Sequence, residues 1–195
     1  MKGEVNEMLS PKQLVKRQQI VNAAKAILLR DGPAGCSSRE VARESGMNKG
    51  LIHYYFENVD EIIDAAMTDL FGDLSTAISH AGHGHTDPAD RFWAVLEEYL
   101  GVFDRRPGLA LLWFEYWTMV TRDGRVEKVE RLQEGLIELL TDLLAEAGVD
   151  DAPARARVIL SYVLGVLVRF EIHPQTFNDL RPEIASLARM QRMIE

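Results

Sequence analysis

Ser45-Gly46 constrains this chain more than any other pair of residues. It separates two short amphipathic stretches, residues 37–45 and 48–56, and glycine readily takes the left-handed backbone that a tight interhelical turn requires. Ser37 or Ser38 can cap the first stretch, whose inner face is Val41 and Ala42, because a short hydroxyl side chain satisfies an unbonded amide of the first turn. The second has Ile52, Tyr55 and Phe56 at helical spacing as its inner side. Asn48, Lys49, Leu51, His53 and Tyr54 then point outward.

Two helices of about two turns each do not hold together alone, so a third must lie beneath them. Residues 11–30 supply it: Ile20, Ala23, Ala24, Ile27 and Leu28 follow i, i+3, i+4, i+7, i+8 and form one buried stripe. Ser10 and Pro11 suit its cap and first position, and Asp31-Gly32-Pro33 ends it. The three-helix unit presents a lysine, a histidine and a tyrosine on its last short helix, all able to donate to phosphate oxygens. That is a helix-turn-helix of a kind that enters a DNA major groove. The plain alternative is a surface helical hairpin.

The run Gly32, Ser37, Val41-Ala42, Ser45-Gly46-Met47, Asn48-Lys49-Gly50-Leu51-Ile52-His53-Tyr54-Tyr55-Phe56 resembles the DNA-binding domain of the TetR family of bacterial regulators. Beyond the N-terminal third, the likeness rests on length, an all-helical pattern and apolar C-terminal helices. The resemblance implies phosphate contacts by Ser37 and Lys49 and groove-lining places for His53 and Tyr54. Ser38, Asn48, Gly50 and Leu51 complete the expected DNA-binding set. Val59 stands where family members often open the fourth helix with a phosphate-gripping lysine, and His53 replaces the commoner tyrosine. The histidine gives either a pH-sensitive contact or a plain neutral hydrogen bond.

Charge divides along the same line. The whole chain carries −8, which by itself argues against a polyanionic partner. Residues 1–60 hold nine basic and seven acidic side chains, a balance of +2, while residues 61–195 stand at −10. A slightly basic head fused to an acidic body fits a duplex-binding module joined to a separate one. Lys12, Lys16 and Arg17 form a candidate basic edge. The expected domains are residues 1–57 for DNA binding and 58–195 for ligand binding and dimerisation.

The start MKGEVNEMLSPKQ has no apolar stretch of a signal peptide. The greasiest run, residues 158–170, is too short to span a bilayer and is broken by Ser161, Gly165 and Arg169. A cytoplasmic protein is expected. Cys36 is the single cysteine, which excludes an intrachain disulfide and suits a reducing compartment.

From residue 58 onward the pattern stays helical, giving an all-α chain of about nine helices: an Asn58-capped helix toward Ser79, a glycine-histidine loop over residues 80–85, and a helix opened by Asp87-Pro88. Next come an aromatic helix started by Pro107, a long one over residues 126–147, one from Asp151 to about residue 173, and a last one opened by Pro182. Residues 158–170 are apolar nearly all round, so one neighbour cannot cover them. With Ile184, Leu187, Ala188 and Met190 they make a candidate dimer interface, as the resemblance also implies, and a dimer can read a pseudo-palindrome.

Trp113, Tyr116, Trp117 and Val120 share one helix side at spacing 3, 4 and 7. Such a stripe is either core or the wall of an effector pocket. The resemblance implies an effector among the central helices, and Tyr99, Phe103 and Tyr162 are candidates to complete the walls. Aromatic faces beside Glu115 suit a flat or cationic molecule. No cofactor and no bound metal are expected. An alternative, a metal-sensing regulator, rests on His80, His83 and His85, three imidazoles within six residues. An all-helical carboxylate oxidase would need Glu-x-x-His pairs, and no histidine here has a glutamate three residues before it.

Overall fold

The computed structural model describes residues 9–190 except 107 and 171. They form nine α-helices and no strand. The helices are α1 (Pro11–Gly35), α2 (Ser38–Ser45), α3 (Lys49–Tyr55), α4 (Val59–Ala81), α5 (Pro88–Arg105), α6 (Leu109–Arg122), α7 (Glu127–Glu146), α8 (Ala152–Val168) and α9 (Phe177–Ala188). The chain divides into two compact units, one ending at Phe71 and the other starting at Gly72. That division falls inside α4, later in the chain than the sequence-based domain limit at residue 58, so the first turns of α4 belong to the first unit.

In the first unit the expected stripe of α1 is the core: Ile20, Ala24 and Ile27 are wholly inaccessible, joined by Val41, Ile52 and Phe56. The helix is broken where the sequence predicts its end. Gly32 has φ 68° and ψ −178°, a backbone region essentially closed to residues with a Cβ, and Pro33–Gly35 form one further turn beyond the break. Gly46 takes φ 67° and closes α2 by donating to Ala42 O and Arg43 O. Asn58 Oδ1 accepts from Glu61 N–H at 2.9 Å and opens α4, in which Ile62, Ile63, Ala66, Met67 and Leu70 are buried. Tyr55, expected inside, is half-buried, its ring meeting Tyr54 edge-on at 4.9 Å.

In the second unit α8 packs against α7, α9 and α6, and α5 against α7 and α9. Four boundaries differ from expectation. The break placed at residue 80 comes after Ala81, with His80 in the last turn of α4 and Gly82–Gly84 in a 3-10 turn. Gly82 is buried where an added Cβ would press on Val95 Cγ2 at 3.3 Å, so the turn sits tightly on α5. Pro107, the expected start of α6, lies outside the described residues; Gly108 caps that helix. α8 stops at Val168, because the amides of Arg169 and Phe170 bond three residues back and tighten the chain into turns. α9 begins at Phe177, before Pro182. Thr176 and Asp179 form a reciprocal capping box, in which Thr176 N–H and Oγ1 bond Asp179 Oδ2 at 2.8 and 2.7 Å. Pro182 is accommodated inside the helix.

Candidate nucleic-acid interface

Ser37 Oγ accepts from Glu40 N–H at 3.2 Å and so caps α2. Asn48 Oδ1 accepts from Leu51 N–H at 2.9 Å and caps α3, which fixes its amide as a cap and leaves the Nδ2 donor for an outside partner. Gly50 is exposed on the first turn; a Cβ there would lie 3.4 Å from Asn48 Oδ1. Lys49, His53 and Tyr54 are exposed, Ser38 and Leu51 half-buried, and Ile52 is fully enclosed. α3 is therefore pinned by one side and presents the other, as its apolar spacing requires.

The first unit's cations fall into two groups. Arg43 pairs with Glu40 at 2.6 Å, and Arg30 with Asp31 and Glu44 at 3.0 and 3.4 Å. Arg17 lies over the Phe56 ring at 4.7 Å from its centroid, so it supports the core rather than the basic edge. Among the described residues Lys12, Lys16, Arg39 and Lys49 make no ion pair. These four carry the charge that an anionic partner meets.

Sequence reasoning missed one residue at this site. Gln13, in the first turn of α1, donates from Nε2 to Tyr54 Oη at 2.8 Å across 41 residues. The only sequence signal was its place three residues after the Ser10 cap, which indicates a local role and not a distant one.

In the second unit the six candidate effector residues lie on three helices. Trp113 and Tyr116 are buried, and Trp117 is half-buried, with its ring 6.5 Å from Trp113 and stacked at 6.0 Å on Phe114. Tyr99 and Phe103 meet edge-on at 5.5 Å on α5, and burial pushes the Tyr99 phenol well above its ordinary value. Tyr162 is half-buried on α8, its phenol also raised, first by burial and then by the Glu183 charge. A cleft of about 410 Å³ opens elsewhere, between the last turns of α5 and the start of α9, and none of the six lines it. Within that cleft Arg105 folds back across Gly101 to Glu98 at 2.5 Å. The rings of His80 and His83 stand 5.0 Å apart, yet among the described residues no three His, Cys, Asp or Glu side chains are grouped to hold a metal ion. The metal-sensing alternative gains no support. No helix among the described residues is long and apolar enough to cross a membrane.

Residues 20–66 match the profile of the tetR family of bacterial regulatory proteins, and residues 88–193 match the C-terminal profile of BetI-type transcriptional repressors. The chain belongs to the TetR family. This TetR-family chain is similar to the HTH-type transcriptional regulator BetI of Vibrio parahaemolyticus, 24% identical over 167 residues and 83% of each protein. It is also similar to BetI 2 of Chromohalobacter salexigens, 26% identical over 171 residues, 83% of this chain and 80% of that protein. In fold it matches a TetR transcription regulator from Haloarcula marismortui with a TM-score of 0.78 at 20% identity, covering 90% of this chain and 97% of that one. It also matches the multidrug binding protein EbrR complexed with ethidium, TM-score 0.68 at 23% identity, covering 88% of this chain and 98% of that one. The site is thus the helix-turn-helix of a DNA-binding transcriptional regulator, the description that the two BetI relatives also carry.

Proposed function

We propose that this TetR-family regulator is a ligand-responsive repressor that binds a pseudo-palindromic operator as a homodimer and leaves it when a small molecule binds. The observation that carries the reading is the exposed face of α3, on which Lys49, His53 and Tyr54 stand clear of the core. Ser37, Lys49 and Tyr54 are assigned to phosphate contacts, Leu51 to a thymine methyl and Asn48 or His53 to a base edge, with Ser38 and Gly50 completing the DNA-binding set. Residues 1–57 serve DNA binding and residues 58–195 serve effector binding and dimerisation.

The dimer reading is supported by α8. Val158 and Val168 are exposed, as is Ile172 just beyond the helix, and Ser161 and Gly165 lie between them on the same face. An aliphatic and small-residue strip of this kind suits a second helix pair packed against it. Two recognition helices about one DNA turn apart then read both half-sites.

The effector is assigned to the aromatic set Tyr99, Phe103, Trp113, Tyr116, Trp117 and Tyr162, and its class to flat or cationic molecules. EbrR, of similar fold, is described in complex with ethidium. A ligand that favours a body state with the heads off groove spacing lowers DNA affinity by the same factor as DNA lowers ligand affinity, tenfold for each ~1.4 kcal/mol. α4 transmits the change, and its rotation moves Lys49, His53 and Tyr54 together.

Selection of duplexes from a random pool tests the reading. A recovered palindrome, bound by two chains and released by a flat aromatic cation, supports it. Failure to retain any duplex at low salt overturns it.

A further inference from the structure

Resting on the DNA-binding reading, we infer that Gln13 is a positioning residue for the protein–DNA interface: it fixes the Tyr54 hydroxyl as a donor aimed at a phosphate. The orientation of its amide follows from the two groups it meets. Ser10 N–H can only donate, and it lies 2.8 Å from Gln13 Oε1. That contact assigns the oxygen, so the group facing Tyr54 Oη at 2.8 Å is the Nε2 donor. Tyr54 Oη is the acceptor in this bond, and among the described residues the hydroxyl makes no other.

A phenol with its acceptor side occupied keeps its own proton for the outside. Phosphate oxygens accept only. Tyr54 is 63% exposed at the end of the recognition helix, so the pairing presents a donor with a fixed direction to a partner of acceptors. Ring position is held by the same face of α1: Arg17, one turn after Gln13, covers Phe56, two residues after Tyr54. Gln13 and Arg17 thereby grip the end of α3 on both sides of Tyr55, while Lys12 and Lys16 beside them are exposed and without an ion pair among the described residues. The first turns of α1 belong to the interface as a support for α3.

The experiment is a double-mutant cycle on binding to a duplex selected by the wild-type protein, with Gln13→Met, Gln13→Glu and Tyr54→Phe. Each variant's melting curve sets an assay temperature at which it is folded. Gln13→Met weakens binding about fivefold, the scale of one hydrogen bond, and leaves the salt slope unchanged because no counterion is displaced by a neutral group. In the Tyr54→Phe background the same substitution has no further effect. Gln13→Glu keeps the Ser10 contact but can only accept at Tyr54, which turns the phenol proton inward. Its loss is therefore larger with Tyr54 present than in the Tyr54→Phe background, where only the added charge is felt. Equal losses in both backgrounds, or no loss for Gln13→Met, overturn the assignment while leaving DNA binding intact. A wild-type protein that retains no duplex overturns the DNA-binding reading and this assignment with it.

Discussion

Lys25 Nζ meets Asp69 Oδ2 at 2.7 Å, joining α1 to α4 across 44 residues. Asp69 also accepts from Gln18 Nε2 through its other oxygen, at 3.2 Å. The lysine side chain is only 18% exposed, so removing its partner leaves a partly buried cation short of one acceptor. Asp69→Ala is expected to destabilise the first unit by about 1–3 kcal/mol, and Asp69→Asn by less, since an amide oxygen still accepts. Chemical denaturation of the three proteins checks the order.

Lys49 is exposed at the first position of α3 and makes no ion pair among the described residues. Lys49→Ala is expected to weaken binding to every duplex and to lower the slope of log K against log salt by about one unit. Leu51→Ala changes preference among sequences more than overall affinity. Fluorescence titrations at several salt concentrations separate the two, and an unchanged slope for the lysine variant contradicts its phosphate role.

At Gly46 an added Cβ meets no atom within 4 Å, yet φ is +67°. The loss on Gly46→Ala is therefore one of backbone conformation alone, about 1–2 kcal/mol. Gly46→Asn loses less, because asparagine tolerates this region better than alanine. Thermal melting of both variants is the check.

Burial pushes the Cys36 thiol up to about 11 from an ordinary value of 9.0. The folded state prefers the neutral thiol, so its contribution to stability is complete below pH 9 and is lost as pH rises toward 11. Wild-type protein is expected to lose melting temperature over that interval more steeply than Cys36→Ala. At neutral pH the native thiol reacts slowly with a disulfide reagent and rapidly once unfolded.

Elements with a polar cap and a glycine stop were readable because those signals are local: Ser37 and Gly46 bound α2, Asn58 opens α4, and Asp87 opens α5. The start of α9 is set by the Thr176-x-x-Asp179 box, which satisfies the first-turn amides ahead of Pro182, so the proline is a misleading start signal here. The end of α8 is not legible in hydropathy, because Phe170 and Ile172 continue the apolar pattern past Val168 while the hydrogen bonds shift to three-residue spacing. The exposure of Asn48, Lys49, His53 and Tyr54 follows from the burial of Ile52 and Phe56 at helical spacing, while Leu51, expected outward, is half-buried. Gln13 did not, because its partner lies 41 residues away and periodicity reads only neighbours along one helix. The aromatic stripe of α6 was correct as a stripe, but spacing does not tell a wall from a filling, and Trp113 and Tyr116 are both buried.

In the proposed dimer, the strip on and just beyond α8 would tie folding to abundance. Val168 and Ile172 are left 61% and 74% accessible, and full burial of one aliphatic side chain of this size is worth about 1.5–3 kcal/mol. If a second copy shields them, as proposed, that contact adds its free energy to the folded state through mass action, and the melting temperature is expected to climb with protein concentration. A cell holding only a few copies would then have both a weaker grip on the operator and a shorter-lived regulator.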